Sequence, residues 1–158
     1  MAAPTPTARA APSGIPLFDG YSTKITLAAD SNVEFWEKDV QPPAVDGGDA
    51  IDITTMHNTL WRTKNARTLV NLGDVQSTVA YDPVCYTSVV ALVNVHTTIT
   101  VTFPDGSTLA FFGYLRSFTP NAHAEGAQPE ATVVIVPTNY DHTNHVEAAP
   151  VVASVSGT

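Results

Sequence analysis

Alternation dominates the middle of the chain. In VHTTITVTF, Ile99, Val101 and Phe103 alternate with Thr98, Thr100 and Thr102, a period of two that predicts a strand with one buried face. Pro104-Asp105-Gly106 follows; proline presets one φ and glycine accepts a positive one, so the chain is expected to reverse there. The return, TLAFFGYLRSF, reads as apolar on both faces, with Leu109, Phe111 and Leu115 on one and Phe112, Tyr114 and Phe118 on the other. A strand covered on both sides lies centrally or half in a subunit interface. Gly113 in its middle predicts a bulge or a close backbone approach. Shorter strands are expected over 23–28, 33–40, 50–55, 70–81 and 131–136.

One helix is expected, over 82–94. Asp82 is a good N-cap and Pro83 suits the first helical position. Tyr86, Val89, Val90 and Val93 then recur at helical spacing, an apolar stripe that would close over a sheet, and Asn94 can end it. Strands, one helix, a hairpin and a last strand make a mainly β fold, a β-sandwich or small barrel with one flanking α-helix and long loops. Two connections are too rich in proline, glycine and polar residues for regular structure: QPPAVDGGD and NAHAEGAQP (121–129). Loops this long in a compact domain are usually functional or touch a partner. The low-complexity ends read as extended arms, which divides the chain into an N-terminal arm (1–14), one folded domain (15–140) and a C-terminal arm (141–158).

Composition narrows what such a domain does. The 158 residues suit one domain, and the charged share is only 14 %, against an ordinary ~25 %. Fifteen acids against seven Lys and Arg leave a net charge of −8, which argues against tight binding to phosphate backbones or an anionic membrane surface. A single cysteine, Cys85, excludes an intrachain disulfide. The N-terminus has no secretory pattern and no apolar run approaches a membrane span; the expectation is a soluble protein made in a reducing cytoplasm.

Candidate chemistry is sparse. Cys85 falls near the start of the expected helix, where a thiol gains acidity, but no accompanying His or Asn signature points to a nucleophile. His142 and His145 form an HxxH pair short of the three or four ligands a transition metal needs, and read as solvated tail residues. Asp46, Asp49 and Asp52 alternate with glycines without the ligand order of a calcium loop. Trp36 and Trp61 are of a type that stacks on sugars or bases, and more often fills cores or interfaces. No nucleotide-binding or hydrolase motif occurs. Neither an enzyme nor a cofactor is expected.

The phrases VEFWEKDVQPPAVDGGDAIDITTMHNTLWRTKNARTL and AYDPVCYTSVVALVNVHTTITVTFPDGSTLAFFGYLRSFTPNAHAEGAQPEATVVIVPTN resemble the tail tube (major tail) proteins of long, non-contractile, siphovirus-type bacteriophage tails. The resemblance covers about 33–139. It implies a β-sandwich-like barrel with one helix. It also implies six copies joined into a ring, and rings stacked into a tube through a long loop between early strands and through terminal arms. The partners implied are further copies of the chain, other tail proteins at the tube ends, and genomic DNA that passes through without specific binding. No membrane is implied, and the location is the virion after synthesis in the bacterial host cytoplasm.

On that basis Gln41, Pro42, Pro43, Val45, Asp46, Gly47, Gly48 and Asp49 are the candidate inter-ring loop. Phe112, Tyr114 and Phe118 are the candidate intersubunit face. Asp46, Asp49, Asp52, Glu125 and Glu130 are the candidate acids lining the lumen, where repulsion would keep DNA from adhering. Rival readings are a tail terminator, a capsid decoration protein, or a carbohydrate-binding sandwich that stacks sugars on Trp36 or Trp61.

Overall fold

The computed structural model describes residues 20–154; the N-terminal arm and residues 155–158 lie outside that range. The strands are β1 (Lys24–Leu27), β2 (Glu37–Gln41), β3 (Val45–Asp46), β4 (Ile51–Asp52), β5 (Lys64–Asn65), β6 (Asn71–Leu72), β7 (Val75–Ala80), β8 (His96–Thr102), β9 (Thr108–Pro120), β10 (Glu130–Pro137), β11 (Tyr140–Asp141), β12 (Val146–Glu147) and β13 (Val151–Ala153), with one helix, α1 (Tyr86–Leu92), between β7 and β8. The fold is mainly β, as expected. A seven-stranded antiparallel sheet runs β1-β8-β9-β10-β7-β2, with β13 added to β9.

This sheet curls into a half-barrel because its inner positions are apolar on strand after strand. Ala131, Val133 and Ile135 of β10, Val75 and Val79 of β7, Ile99 and Val101 of β8, Phe111 and Leu115 of β9, and Ile25 and Leu27 of β1 are all buried and form one cluster. Burying each large side chain is worth about 1.5–3 kcal/mol. Ser77 is the one polar residue buried there, and its hydroxyl donates to the Asp39 carbonyl at 2.7 Å. β1 and β2 end the sheet and approach one another. A side chain crosses between them: the Ile25 amide donates to Glu37 Oε1 at 2.7 Å. Burial pushes the Glu37 carboxyl above the ordinary glutamate range, against the opposing pull of that hydrogen bond.

The hairpin of β8 and β9 and its turn lie where the alternation placed them, with Ile99 opposite Phe111 and Val101 opposite Leu109. Gly113 meets the expected close approach: a Cβ there would stand 2.6 Å from the Val136 carbonyl oxygen. The bulge falls elsewhere. Ser117 pairs with Val134 but Leu115 with Ile135, so Arg116 is the extra residue. An extra residue flips the faces beyond it. Phe118 therefore turns toward the core, 6.2 Å from the Tyr81 ring, and does not share a face with Phe112 and Tyr114.

The helix also departs from its expected phase. Asp82 accepts from the Val84 amide at 2.9 Å and Pro83 follows, but Pro83–Cys85 forms a 3-10 turn before α1 begins. A turn of three residues rather than 3.6 rotates what comes after it. Val89 and Leu92 are buried, whereas Tyr86 and Val90 of the expected stripe are about half exposed. The strand expected over 70–81 is broken at Gly73 and Asp74, leaving β6 and β7 as separate elements.

Past β10, β11 and β12 make a small hairpin with Tyr140 opposite Glu147. β13 then pairs with Thr108–Ala110, where β9 runs beyond the reach of β10. The C-terminal segment, as far as Ser154, is thus laid against the sheet.

Candidate assembly surface

Between β2 and β7, which pair directly, the chain makes an excursion from Pro42 to Asp74. It is a narrow antiparallel arm. Val45 faces Leu72 and Asp46 faces Asn71 at its base; Ile51 faces Asn65 and Asp52 faces Lys64 farther out. From Ala44 to Asn71 every residue is exposed except half-buried Asn58. The arm has no core, so its form rests on local hydrogen bonds.

Those bonds are specific. At the base the Gly73 amide donates to the Ala44 carbonyl at 2.7 Å. Farther out Asp46 accepts from the Gly48 amide at 2.8 Å and Asp52 from the Thr54 amide at 2.9 Å. Gly48 adopts φ +74°, and a Cβ on it would meet Arg67 Cδ at 2.9 Å. Arg67 in turn donates through Nε to the Asp49 carbonyl at 2.8 Å, tying the two limbs together. At the tip Asn58 accepts from the Thr55 amide at 2.8 Å and donates to the Trp61 carbonyl at 2.9 Å. The Thr54 hydroxyl first, and then its amide, hold the Asp52 carboxyl below the usual carboxylate range.

The arm carries large apolar side chains that no described residue buries. Met56 is fully exposed, Leu60, Trp61 and Leu69 are more than three-quarters exposed, and Val45 is close behind. An apolar display on this scale marks an interaction site. The sequence placed the candidate loop at the start of this feature and missed its greater part. Gln41 itself belongs to β2, and Val45 and Asp46 form β3, so the segment is not wholly irregular. The signal was present in the apolar residues at 51–70, whose alternation is too brief to separate an exposed ribbon from a buried strand.

The remaining candidates are dispersed. Phe112 and Tyr114 lie half-buried on the outer side of β9. The chain's own C-terminal segment reaches this face: His96 packs edge-on against Tyr114, His142 stacks on His96 at 3.6 Å, and Phe112 and Tyr140 line a small shared cavity of about 90 Å³. His145 contacts the Tyr140 hydroxyl through Nδ1 at 3.3 Å. His142 and His145 are both exposed, as expected of solvated tail residues, and each also touches a neighbouring ring. The five acids lie on different elements. Asp46, Asp49 and Asp52 ride the arm, Glu125 lies in the exposed β9–β10 connection, and Glu130 begins β10 in an ion pair with Lys38.

Cys85 is not set up as a nucleophile. Burial, then the Asp82 carboxylate 3.7 Å away, raises the Cys85 thiol above the ordinary cysteine range, the opposite of nucleophile activation. Among the described residues no three His, Cys, Asp or Glu side chains are grouped to hold a metal ion. Trp36 and Trp61 are 62 % and 81 % exposed, so neither fills the core. No described helix is long and apolar enough to cross a membrane.

No protein-family model and no curated protein matches the chain. Solved structures share its fold. A chain from the virion of a native gene transfer agent particle superposes with a TM-score of 0.60 over 87 % of this chain and 100 % of its own, at 10 % identity. One from the six-fold symmetrised baseplate of the anti-feeding prophage gives 0.59 over 85 % and 92 %, at 7 % identity. One from the tail of the empty gene transfer agent particle, refined helically with C6 symmetry, gives 0.53 over 89 % and 100 %, at 8 % identity.

Proposed function

We propose that this chain is a structural tail tube protein, whose copies form hexameric rings that stack into the tube through which a phage genome passes into its host. The observation that carries the reading is the exposed arm: a domain with its own core projects a ribbon whose apolar side chains between Ala44 and Asn71 no other described residue buries. Such a ribbon gains its burial from another molecule. The shared fold supports a tail particle as its setting, because neighbours come from a virion, a baseplate and a tail, two of them six-fold symmetric.

In this reading the arm, including Gln41 to Asp49, reaches the adjacent ring, and the outer side of β9 around Phe112 and Tyr114 meets the neighbour within a ring. Seven of the chain's formal charges are basic and fifteen acidic, and that surplus disfavours adhesion of DNA to the wall during transit. Negative-stain microscopy of the purified protein tests the proposal. Stacked rings or tubes are the expected result. Rings that never stack would favour a tail terminator. Monomers at every concentration would overturn the proposal, and binding of those monomers to a glycan array, lost on Trp36→Ala or Trp61→Ala, would favour the carbohydrate reading.

A further inference from the structure

The arm is divided by charge. Asp46, Asp49 and Asp52 lie on its outgoing limb, where no Lys or Arg occurs from Pro42 to Trp61. Arg62, Lys64 and Arg67 lie on the returning limb, where no Asp or Glu occurs from Ile53 to Gly73. All six are exposed. A two-stranded ribbon of this composition would ordinarily zip its opposite charges across the strands, since facing pairs attract. Here it does not. Asp52 and Lys64 are register partners, but the Asp52 carboxylate is turned to the Thr54 amide, the Asp46 carboxylate to the Gly48 amide, and Arg67 to the Asp49 backbone carbonyl. Of the ion pairs among the described residues, Lys38–Glu130 lies outside the arm and Arg116–Asp74 uses only the arm's last residue, past the paired limbs. Arg67 reaches across to the outgoing limb, so the returning edge carries its positive charge on Arg62 and Lys64, while the outgoing edge carries three acids with no ion pair among the described residues.

We propose that arms of neighbouring copies within a ring lie side by side, the acidic limb of one against the basic limb of the next. The partner is a second copy of this chain, and the inference rests on the ring reading above. A head-to-tail contact between two different edges of identical molecules is the kind that closes into a ring. The charges set direction and register, because like edges repel; exposed ion pairs add little affinity. The apolar side chains of the arm supply the attraction, and the charge pattern decides which edges meet.

Two variants test it. Arg62→Glu/Lys64→Glu makes both limbs acidic, and Asp49→Lys/Asp52→Lys makes both basic. Each alone places like charges edge to edge and is expected to lower the assembled fraction in sedimentation velocity by ~tenfold or more. An equimolar mixture restores opposite edges at every contact and is expected to recover assembly, with the two chains alternating. Asp52→Asn, which keeps an acceptor for the Thr54 amide, controls for the local turn, and circular dichroism controls for the fold. Recovery on mixing supports the inference. Normal assembly of either variant alone, or no recovery from two folded variants, overturns it and leaves the ring reading standing. Failure of the unaltered protein to form rings overturns both.

Discussion

Glu37 holds the two ends of the curled sheet together at a cost that depends on pH. Its carboxylate accepts from the amide of buried Ile25, but burial raises its pKa above the ordinary glutamate value. The folded chain therefore holds the proton more tightly than the unfolded chain. This group's contribution favours the fold at acid pH and is lost as pH rises from the ordinary glutamate range through the raised value. Glu37→Gln keeps an acceptor for Ile25 and removes the charge. It is expected to raise the melting temperature at pH 7, with the gain disappearing below the ordinary glutamate range; a loss of stability at pH 7 would show that the charge itself is needed. Gly113 acts differently, through space alone. A methyl group there collides with the Val136 backbone oxygen, and neither β9 nor β10 can yield without parting the sheet. Gly113→Ala is expected to cost about 1–3 kcal/mol, read as a lower midpoint of denaturation.

The elements divide into those that make the core and one that does not. β1 and β7 to β10 bury alternate residues, and α1 adds Val89 and Leu92. The arm contributes no buried residue between Ala44 and Asn71. Replacing 47–70 by a tight turn between β3 and β6 is therefore expected to leave the circular dichroism spectrum and melting temperature nearly unchanged while abolishing stacked assemblies. Tubes of normal length from the shortened protein would move the stacking contact to the chain ends. The bulge at Arg116 is an element-scale device too. It lets one strand present Phe112 and Tyr114 outward and then return Phe118 to the core.

For the whole molecule, the outer side of β9 is where packing within the chain would compete with the proposed ring contact. The C-terminal segment covers part of it with Tyr140 and His142, and the proposed neighbour covers the remainder. Phe112→Asp would place a charge among half-buried rings, which costs several kcal/mol by rough estimate. The expected outcome is loss of rings, accompanied by greater protease access to the C-terminal segment. Normal tubes with an unaltered segment would show that this face is neither a packing nor an assembly surface.

The sequence by itself determined the mainly β class, the 96–120 hairpin, the capped turn after Asp82 and the close approach at Gly113. Each follows from forces within a few residues: period-two burial, proline and glycine stereochemistry, and a side chain capping its own backbone. Tertiary structure alone decided the rest. The faces of β9 depend on where an extra residue is absorbed against β10, so Phe118 could not be assigned from alternation. The phase of α1 depends on the 3-10 turn that joins it to the sheet, and β13 finds a place only because β9 outruns its neighbour. The arm shows the limit most clearly. Val45, Ile51, Leu60 and Trp61 read as apolar wherever they lie, and only the folded chain decides that this ribbon leaves the core and exposes them.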